Sequence, residues 1–247
     1  MFAIFRKEIS GFFSNITGYL VIIIFITINS LFMWILPGEF NIPETGYAGL
    51  DTLFLLSPWI FLFLVPAITM RMISEEKRLG TIELLFSKPV SERSVVYGKF
   101  LASVFLVLMA LLPGLVYYLT VYFTGETPGN IDNAATAGSF IGLFLLASVY
   151  AAAGLFTSSL TSNQVVAFVT AVFLCFFLYT GFDYLALLPG TGRINEIISL
   201  LGINEHYKSV SRGVIDSRDL IYFIGIAIIF TEATRLSLLS GKWKRTN

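Results

Sequence analysis

The sequence predicts an all-α polytopic membrane protein with six transmembrane helices. Hydrophobic residues make up 56% of the 247-residue chain and charged residues only 13%, whereas a typical soluble domain is about 25% charged. Long uncharged stretches recur, and the longest, residues 133–182, contains no Lys, Arg, Asp or Glu. Because a helix needs about 20 apolar residues to cross the hydrocarbon core, such stretches are typical of membrane spans.

Residues 1–16 predict an amphipathic helix that lies in the membrane interface. Apolar residues recur at helical spacing on one face, and Arg6, Lys7 and Glu8 lie on the remainder. A cleaved signal peptide is disfavoured, because the apolar stretch that follows is too long and no small-residue cleavage site ends it.

Six apolar stretches follow, and we expect spans at about residues 17–36, 52–70, 100–123, 137–156, 165–187 and 220–239. The polar cluster Thr157–Gln164 divides the fourth span from the fifth. Gly138, Gly142 and Gly154 in the fourth span predict a close approach by neighbouring helices. We expect residues 1–247 to form a single transmembrane domain.

The distribution of basic residues predicts that both termini are cytoplasmic. An even number of spans places the termini on one side, and the positive-inside rule selects that side. With this orientation, 12 of the 16 lysines and arginines are cytoplasmic. The other four lie in the predicted extracytoplasmic segment 188–219: Arg193, Lys208, Arg212 and Arg218.

Four polar residues at membrane depth are candidates for function: Asn29, Asp183, Glu232 and Arg235. Packing is the favoured role for Asn29, and Asp183 is expected to reach the outer interface. Glu232 and Arg235 are three residues apart, so they are expected to pair on one helix face. An ion-coupled secondary transporter would need several such charges near the midplane, which makes that function the third choice.

The sequence predicts no enzyme and no cofactor or metal held by the chain itself. It contains neither a P-loop motif nor an H-E-x-x-H motif. A single histidine, His206, and a single cysteine, Cys175, exclude most catalytic triads, disulfide frameworks and zinc sites.

The charged segment Arg71–Lys99 interrupts the apolar pattern and holds six of the 16 basic residues. Ser74 is predicted to cap one short helix that ends at Gly80, and Thr81 to cap a second. Ser91 is predicted to cap the third span.

The second short helix is predicted to present an apolar face formed by Ile82, Leu85 and Phe86. Pro89 stops this helix and joins it to the third span. Such a capped, amphipathic pair of helices suits a surface on which another protein acts.

This segment resembles the signature region of ABC-2 type transporter permeases. The matching residues are Glu76, Lys77, Gly80, Thr81, Glu83, Leu84, Leu85, Pro89, Val90, Ser91, Gly98 and Lys99. The six-span plan and the polar turn Ser158–Gln164 are also similar to that family. Within that family, the chain resembles the gliding-motility-associated permeases of Bacteroidota.

The resemblance implies a permease subunit of an ATP-driven exporter in the cell inner membrane. A separate ATP-binding subunit would hold ATP and Mg and would contact Glu75, Glu76, Lys77, Arg78, Thr81, Ile82, Glu83, Leu85 and Phe86. Ser162 and Asn163 would form a smaller second contact.

Other implied partners are the lipid bilayer, an accessory extracytoplasmic protein and a second permease subunit, identical or related; no nucleic acid is expected. The alternative function is a membrane anchor or scaffold in a motility or secretion assembly, in which the ATPase has a regulatory use.

Overall fold

The computed structural model describes residues 1–86, 90–187, 192–213 and 216–246, with the backbone alone for residues 85, 86, 194 and 241–246. Helices account for 83% of it, and the described ranges contain no strand. Six helical segments are long and apolar enough to cross a membrane, which confirms the predicted number of spans.

The spans, numbered 1 to 6, are Ile16–Ile35, Asp51–Arg78, Glu92–Thr124, Asn133–Leu160, Gln164–Ala186 and Ser217–Ser240. The helices are α1 (Phe2–Phe13), α2 (Ile16–Ser30), α3 (Ile42–Thr45), α4 (Asp51–Arg78), α5 (Thr81–Phe86), α6 (Glu92–Leu111), α7 (Gly114–Thr124), α8 (Asn133–Leu160), α9 (Gln164–Phe176), α10 (Phe182–Ala186), α11 (Gly192–Ser199), α12 (Ile203–Ser211) and α13 (Ser217–Thr246). The π-helical turns Leu31–Ile35 and Phe177–Gly181 extend α2 and α9.

Spans 2 and 4 form the centre of the bundle, with 67% of the apolar window of each buried, against 22% in span 6. They meet at Gly154, where a Cβ atom would lie 2.0 Å from Oγ1 of Thr69. Only glycine allows this approach, as the small residues of span 4 predict.

Span 4 also receives α12, on another face and at the other end of the bundle. A Cβ atom on Gly138 would lie 2.5 Å from the carbonyl oxygen of Val210. The Tyr207 hydroxyl donates to the carbonyl oxygen of Phe54, 2.8 Å away, in span 2. Helix α12 is therefore anchored in the core.

His206 fastens α12 to the beginning of span 6. Its Nδ1 atom lies 2.6 Å from Oδ1 of Asp219, and its Nε2 atom lies 2.9 Å from the carbonyl oxygen of Leu200. The imidazole also stacks on Tyr222, with ring centroids 3.8 Å apart. These contacts indicate a structural role for the single histidine.

The prediction that Ser74 caps a separate helix is wrong. Helix α4 continues through Ser74 to Arg78, and the Ser74 hydroxyl donates to the carbonyl oxygen of Met70 within the same helix. The intervening Glu, Lys and Arg residues favour helix. The helix ends before Gly80, whose φ of +69° is left-handed. Span 2 therefore extends about 12 Å beyond Met70 as a continuous helix.

The cap at Ser91 is confirmed, since its hydroxyl oxygen accepts a hydrogen bond from the backbone N–H of Ser94, 3.3 Å away. Span 3 is broken after Leu111 and resumes at Gly114, next to Pro113. The predicted junction at Pro89 lies outside the described residues.

Candidate functional site at the charged end of the bundle

A buried lysine lies at the centre of the bundle's charged end, the end that holds Lys7, Glu76 and Lys99. The Lys99 side chain is only 1% exposed. Its Nζ atom lies 2.7 Å from Oε1 of Glu8 and 3.0 Å from Oε1 of Glu76, and it donates to the carbonyl oxygen of Met72 at 2.7 Å. Three donors thus meet three acceptors on α1 and α4.

We call Glu8, Glu76 and Lys99 the Lys99 cluster. Lys7 joins it from the surface, with Nζ 2.9 Å from Oε1 of Glu76. Burial lowers the pKa of Lys7, but the hydrogen bond to Glu76 and the charges of Glu76 and Glu8 raise the pKa by more. Because a buried charge is costly unless it is paired, these groups hold their three elements together.

Gly98 allows α1 to pack closely beside the Lys99 cluster. A Cβ atom on Gly98 would lie 3.1 Å from Cβ of Ile4 and from the carbonyl oxygen of Met1. Arg71 adds a second link, since its Cζ atom lies 4.8 Å from the centroid of the Phe12 ring. Gly98 and Lys99 therefore form a binding site for the N-terminal helix.

Ser158, the first residue of the polar turn Ser158–Gln164, links span 4 to span 2 just before the predicted contact residues 75–86. Its hydroxyl oxygen lies 3.2 Å from the backbone N of Ile73 and 3.1 Å from that of Ser74, and it donates to Met70 at 2.8 Å. The Lys77 ammonium donates to the carbonyl oxygen of Ser159. The ends of spans 2 and 4 are thus attached to each other.

The side chains of five predicted contact residues are exposed at this end: Arg78, Thr81, Glu83, Ser162 and Asn163. We call these five residues the coupling surface. Asn163 also caps span 5, because its side-chain oxygen accepts from the backbone N–H of Val165 at 2.9 Å. Glu75 is half-buried next to them, 3.9 Å from Arg78.

Three other predicted contact residues point inward. Glu76 belongs to the Lys99 cluster, and Lys77 is half-buried against Ser159. Ile82 is 7% exposed and belongs to the hydrophobic core, so the expectation that it forms an open docking face is wrong. An isoleucine on so short a helix is stabilised most by the nearest apolar interior. The side chains of Leu85 and Phe86 lie outside the described residues.

Two of the polar residues at membrane depth make local contacts. Asn29 is fully buried, and its amide donates to the carbonyl oxygen of Phe25 in its own helix at 2.9 Å. Asp183 is half-buried and accepts a hydrogen bond from the Asn204 amide at 2.7 Å. Asp183 therefore connects span 5 to α12.

Glu232 and Arg235 form the expected pair, with Nη1 of Arg235 2.8 Å from Oε2 of Glu232. Two residues at the beginning of span 3 extend it. The Tyr97 hydroxyl donates to Oε1 of Glu232 at 3.3 Å, and Nε of Arg93 lies 3.9 Å from the same oxygen. This pair thus lies at the charged end and joins span 6 to span 3.

Sequence reasoning did not select Glu8 and Lys99 as site residues. Lys99 shares a helix face with Val95, Ala102 and Leu106, at spacings of three and four residues, and all three are buried. A lysine in register with buried apolar residues is the signal that identifies it. Glu8 carries no comparable signal, because it lies among the charged residues of α1.

Within the described ranges, no group of three or more His, Cys, Asp or Glu residues gathers as a metal site would require. The chemistry of the charged end is electrostatic: paired charges and inserted hydroxyl groups connect four helices. Such an arrangement holds the ends of these helices together.

No curated protein matches the chain significantly. A family model described as ABC-2 family transporter protein matches residues 3–230 and so covers nearly the whole chain. Proteins of this family are membrane components without an ATPase domain of their own, and they imply partnership with an ABC ATP-binding subunit. The chain is therefore a multi-pass membrane protein that belongs to the ABC-2 family of transporters.

Proposed function

We propose that this permease exports its substrate with energy supplied by a separate ATP-binding subunit that docks on the coupling surface. The observation that carries the proposal is the Lys99 cluster. It makes α1, the end of α4 and the beginning of α6 one connected unit next to the exposed residues. A force applied at the coupling surface is then delivered to several helices at once.

The force is carried by the extension of span 2 and by two connections from it to the other helices. The extension of span 2 carries displacement inward from Arg78, because α4 is continuous between the surface and the core. The Lys99 cluster passes it to α1 and span 3, and Ser158 passes it to span 4. Spans 2 and 4 are the most buried helices, so their movement rearranges the whole bundle.

In this proposal the charged end is cytoplasmic and α1 lies in the interface of the cell inner membrane. The excess of lysine and arginine at this end supports that orientation. The partner binds ATP and Mg, and a second permease subunit, identical or related, completes the path. An association with gliding motility and an accessory extracytoplasmic protein extend the proposal on the basis of resemblance.

Purification of the tagged full chain from its native membrane in mild detergent tests the proposal. We expect an ATP-binding subunit in the eluate. The chain has one cysteine, Cys175, which is fully buried. A Tyr47→Cys variant therefore places one reactive thiol on an 81% exposed position at the end opposite the coupling surface.

We expect the maleimide labelling rate of that thiol to change when ATP is added to the complex and to stay constant with ADP. An eluate without an ATP-binding subunit would contradict the proposal. A bound subunit without any ATP-dependent change in labelling would favour the scaffold function.

A further inference from the structure

Two apolar grooves run side by side along the outer face of span 3. The first, of about 230 Å³, lies between spans 3, 4 and 6 and extends from Tyr97 and Thr231 to Phe223. The second, of about 390 Å³, lies between α1 and span 3 and extends from Phe2 to Leu108. Val104 and Phe144 line both grooves and form the wall that they share.

Both grooves fit within one leaflet of a membrane. Along span 3 the first groove runs from Tyr97 to Val104 and the second from Leu101 to Leu108, a helical rise of about 10 Å each, whereas the hydrocarbon core is about 30 Å thick. A partner transmembrane helix would need a groove along the full thickness. A lipid of one leaflet needs only this half, and it has two chains for two grooves.

The first groove ends, at the charged end of the bundle, beside a group of residues with a net positive charge. Tyr97 lines the groove and contacts Glu232, which is paired with Arg93 and Arg235. The side chain of Arg93 is 65% exposed and that of Arg235 is 26% exposed. Two cations contact this one carboxylate, which gives the group of Arg93, Glu232 and Arg235 a net positive charge at the level of a lipid headgroup.

We propose that this face binds one anionic phospholipid, with its acyl chains in the two grooves and its phosphate beside Arg93 and Arg235. A second copy of the chain is disfavoured as the occupant, because it would bring two positive clusters together. The bound lipid would contact α1, span 3 and span 6 at once, so it adds a non-protein element to the charged end. This binding does not depend on what the permease transports.

The test is native mass spectrometry of the purified full chain, with any subunit that copurifies, titrated with two lipids. Dioleoylphosphatidylglycerol is anionic, and dioleoylphosphatidylcholine has the same chains on a neutral headgroup. We expect one tightly bound phosphatidylglycerol and weaker binding of phosphatidylcholine. Equal binding of the two lipids by the wild type would overturn the proposal.

Two variants separate the headgroup from the chains. Arg93→Gln removes an exposed cation and should weaken phosphatidylglycerol binding about fivefold, which corresponds to roughly 1 kcal/mol per basic residue at a membrane surface. Its control, Arg218→Gln, removes an exposed arginine at the opposite end and should change nothing. Unchanged affinity in Arg93→Gln would contradict the headgroup site even if other variants failed to fold.

Val104→Trp adds a large ring at the wall between the two grooves, where it fills space in both, and it should abolish binding of both lipids. Its control, Val116→Trp, places the same ring at a 61% exposed position further along span 3. Lipid binding that survives Val104→Trp would overturn the proposal. Conversion of a dimer to a monomer by Val104→Trp, with lipid binding intact, would show instead that the face is an interface between copies.

Discussion

The Nζ atom of Lys99 lies 2.7 Å from Oε1 of Glu8, although 91 positions separate the two residues in the sequence. Both are withdrawn from solvent, with side chains 1% and 13% exposed. The pair attaches the first helix of the chain to span 3. Through Glu76 it also attaches both to the extension of span 2, so three elements at the charged end are held by one ammonium group.

Lys99→Met should destabilise the protein by about 3–5 kcal/mol, because it leaves the carboxylates of Glu8 and Glu76 with only the exposed ammonium group of Lys7 between them. The thermal unfolding temperature in detergent should fall, and hydrogen exchange of residues 2–13 should accelerate. The control Lys208→Met removes a 53% exposed lysine and should stay within about 0.5 kcal/mol of the wild type.

A triple variant, Lys99→Met with Glu8→Gln and Glu76→Gln, should regain part of the lost stability, since it also removes the two largely buried negative charges that Lys99 neutralises in the wild type. Wild-type stability in Lys99→Met would show that the Lys99 cluster does not hold these helices together.

Gly98→Leu should displace α1 without altering any charge. The added side chain meets Ile4 and Met1 at once, and overpacking of this kind costs about 1–3 kcal/mol. Limited proteolysis near Arg6 and Lys7 should become faster. Gly225→Leu is the matched control, because no atom lies within 4 Å of a Cβ at that position. Equal proteolysis of the two variants would argue against the packing of α1 on Gly98.

Gly154→Ala should loosen the contact between spans 2 and 4, because its Cβ would lie 2.0 Å from Oγ1 of Thr69. Thr69→Ala should restore part of the stability when combined with it. The Thr69 hydroxyl bonds within its own helix, to Val65 at 3.0 Å, so its loss alone should cost little. A coupling free energy of about 0.5–3 kcal/mol between the two changes is expected from a thermal double-mutant cycle. Strict additivity would contradict the close approach.

The six spans and the packing role of span 4 could be predicted from sequence because both depend on local composition. Uncharged stretches of sufficient length mark the spans, and glycines such as Gly154 mark a close approach. The end of α4 at Gly80 follows equally from one residue's conformational freedom. These features do not require knowledge of which helices meet.

The charged end could not be predicted to the same degree, because its character depends on long-range contacts. Glu76 and Arg78 are both charged residues of the same segment, and the sequence does not show which of them is buried. In the structure Glu76 contacts Lys99, while Arg78 is exposed. Ile82 was expected on an open face and is buried instead. Ser74 was expected to begin a helix, but its hydroxyl group is accommodated within a continuous one.

The contrast between Ile82 and Glu83 gives the next prediction. Ile82→Asp places a charge in the core and should lower the thermal unfolding temperature strongly. Glu83→Lys reverses the charge of an exposed residue on the coupling surface and should leave that temperature nearly unchanged. Similar unfolding temperatures for the two variants would mean that Ile82 is not a core residue.

The ratio of ATP-binding subunit to permease after purification in mild detergent tests the central claim most directly. Wild type and Glu83→Lys are compared at equal thermal stability, so that loss of the partner cannot be attributed to unfolding. We expect the ratio to fall markedly in Glu83→Lys, because the altered residue lies on the surface where the partner docks. A wild-type ratio in Glu83→Lys, or in the double variant that adds Arg78→Glu, would contradict the claim that this surface receives the ATPase.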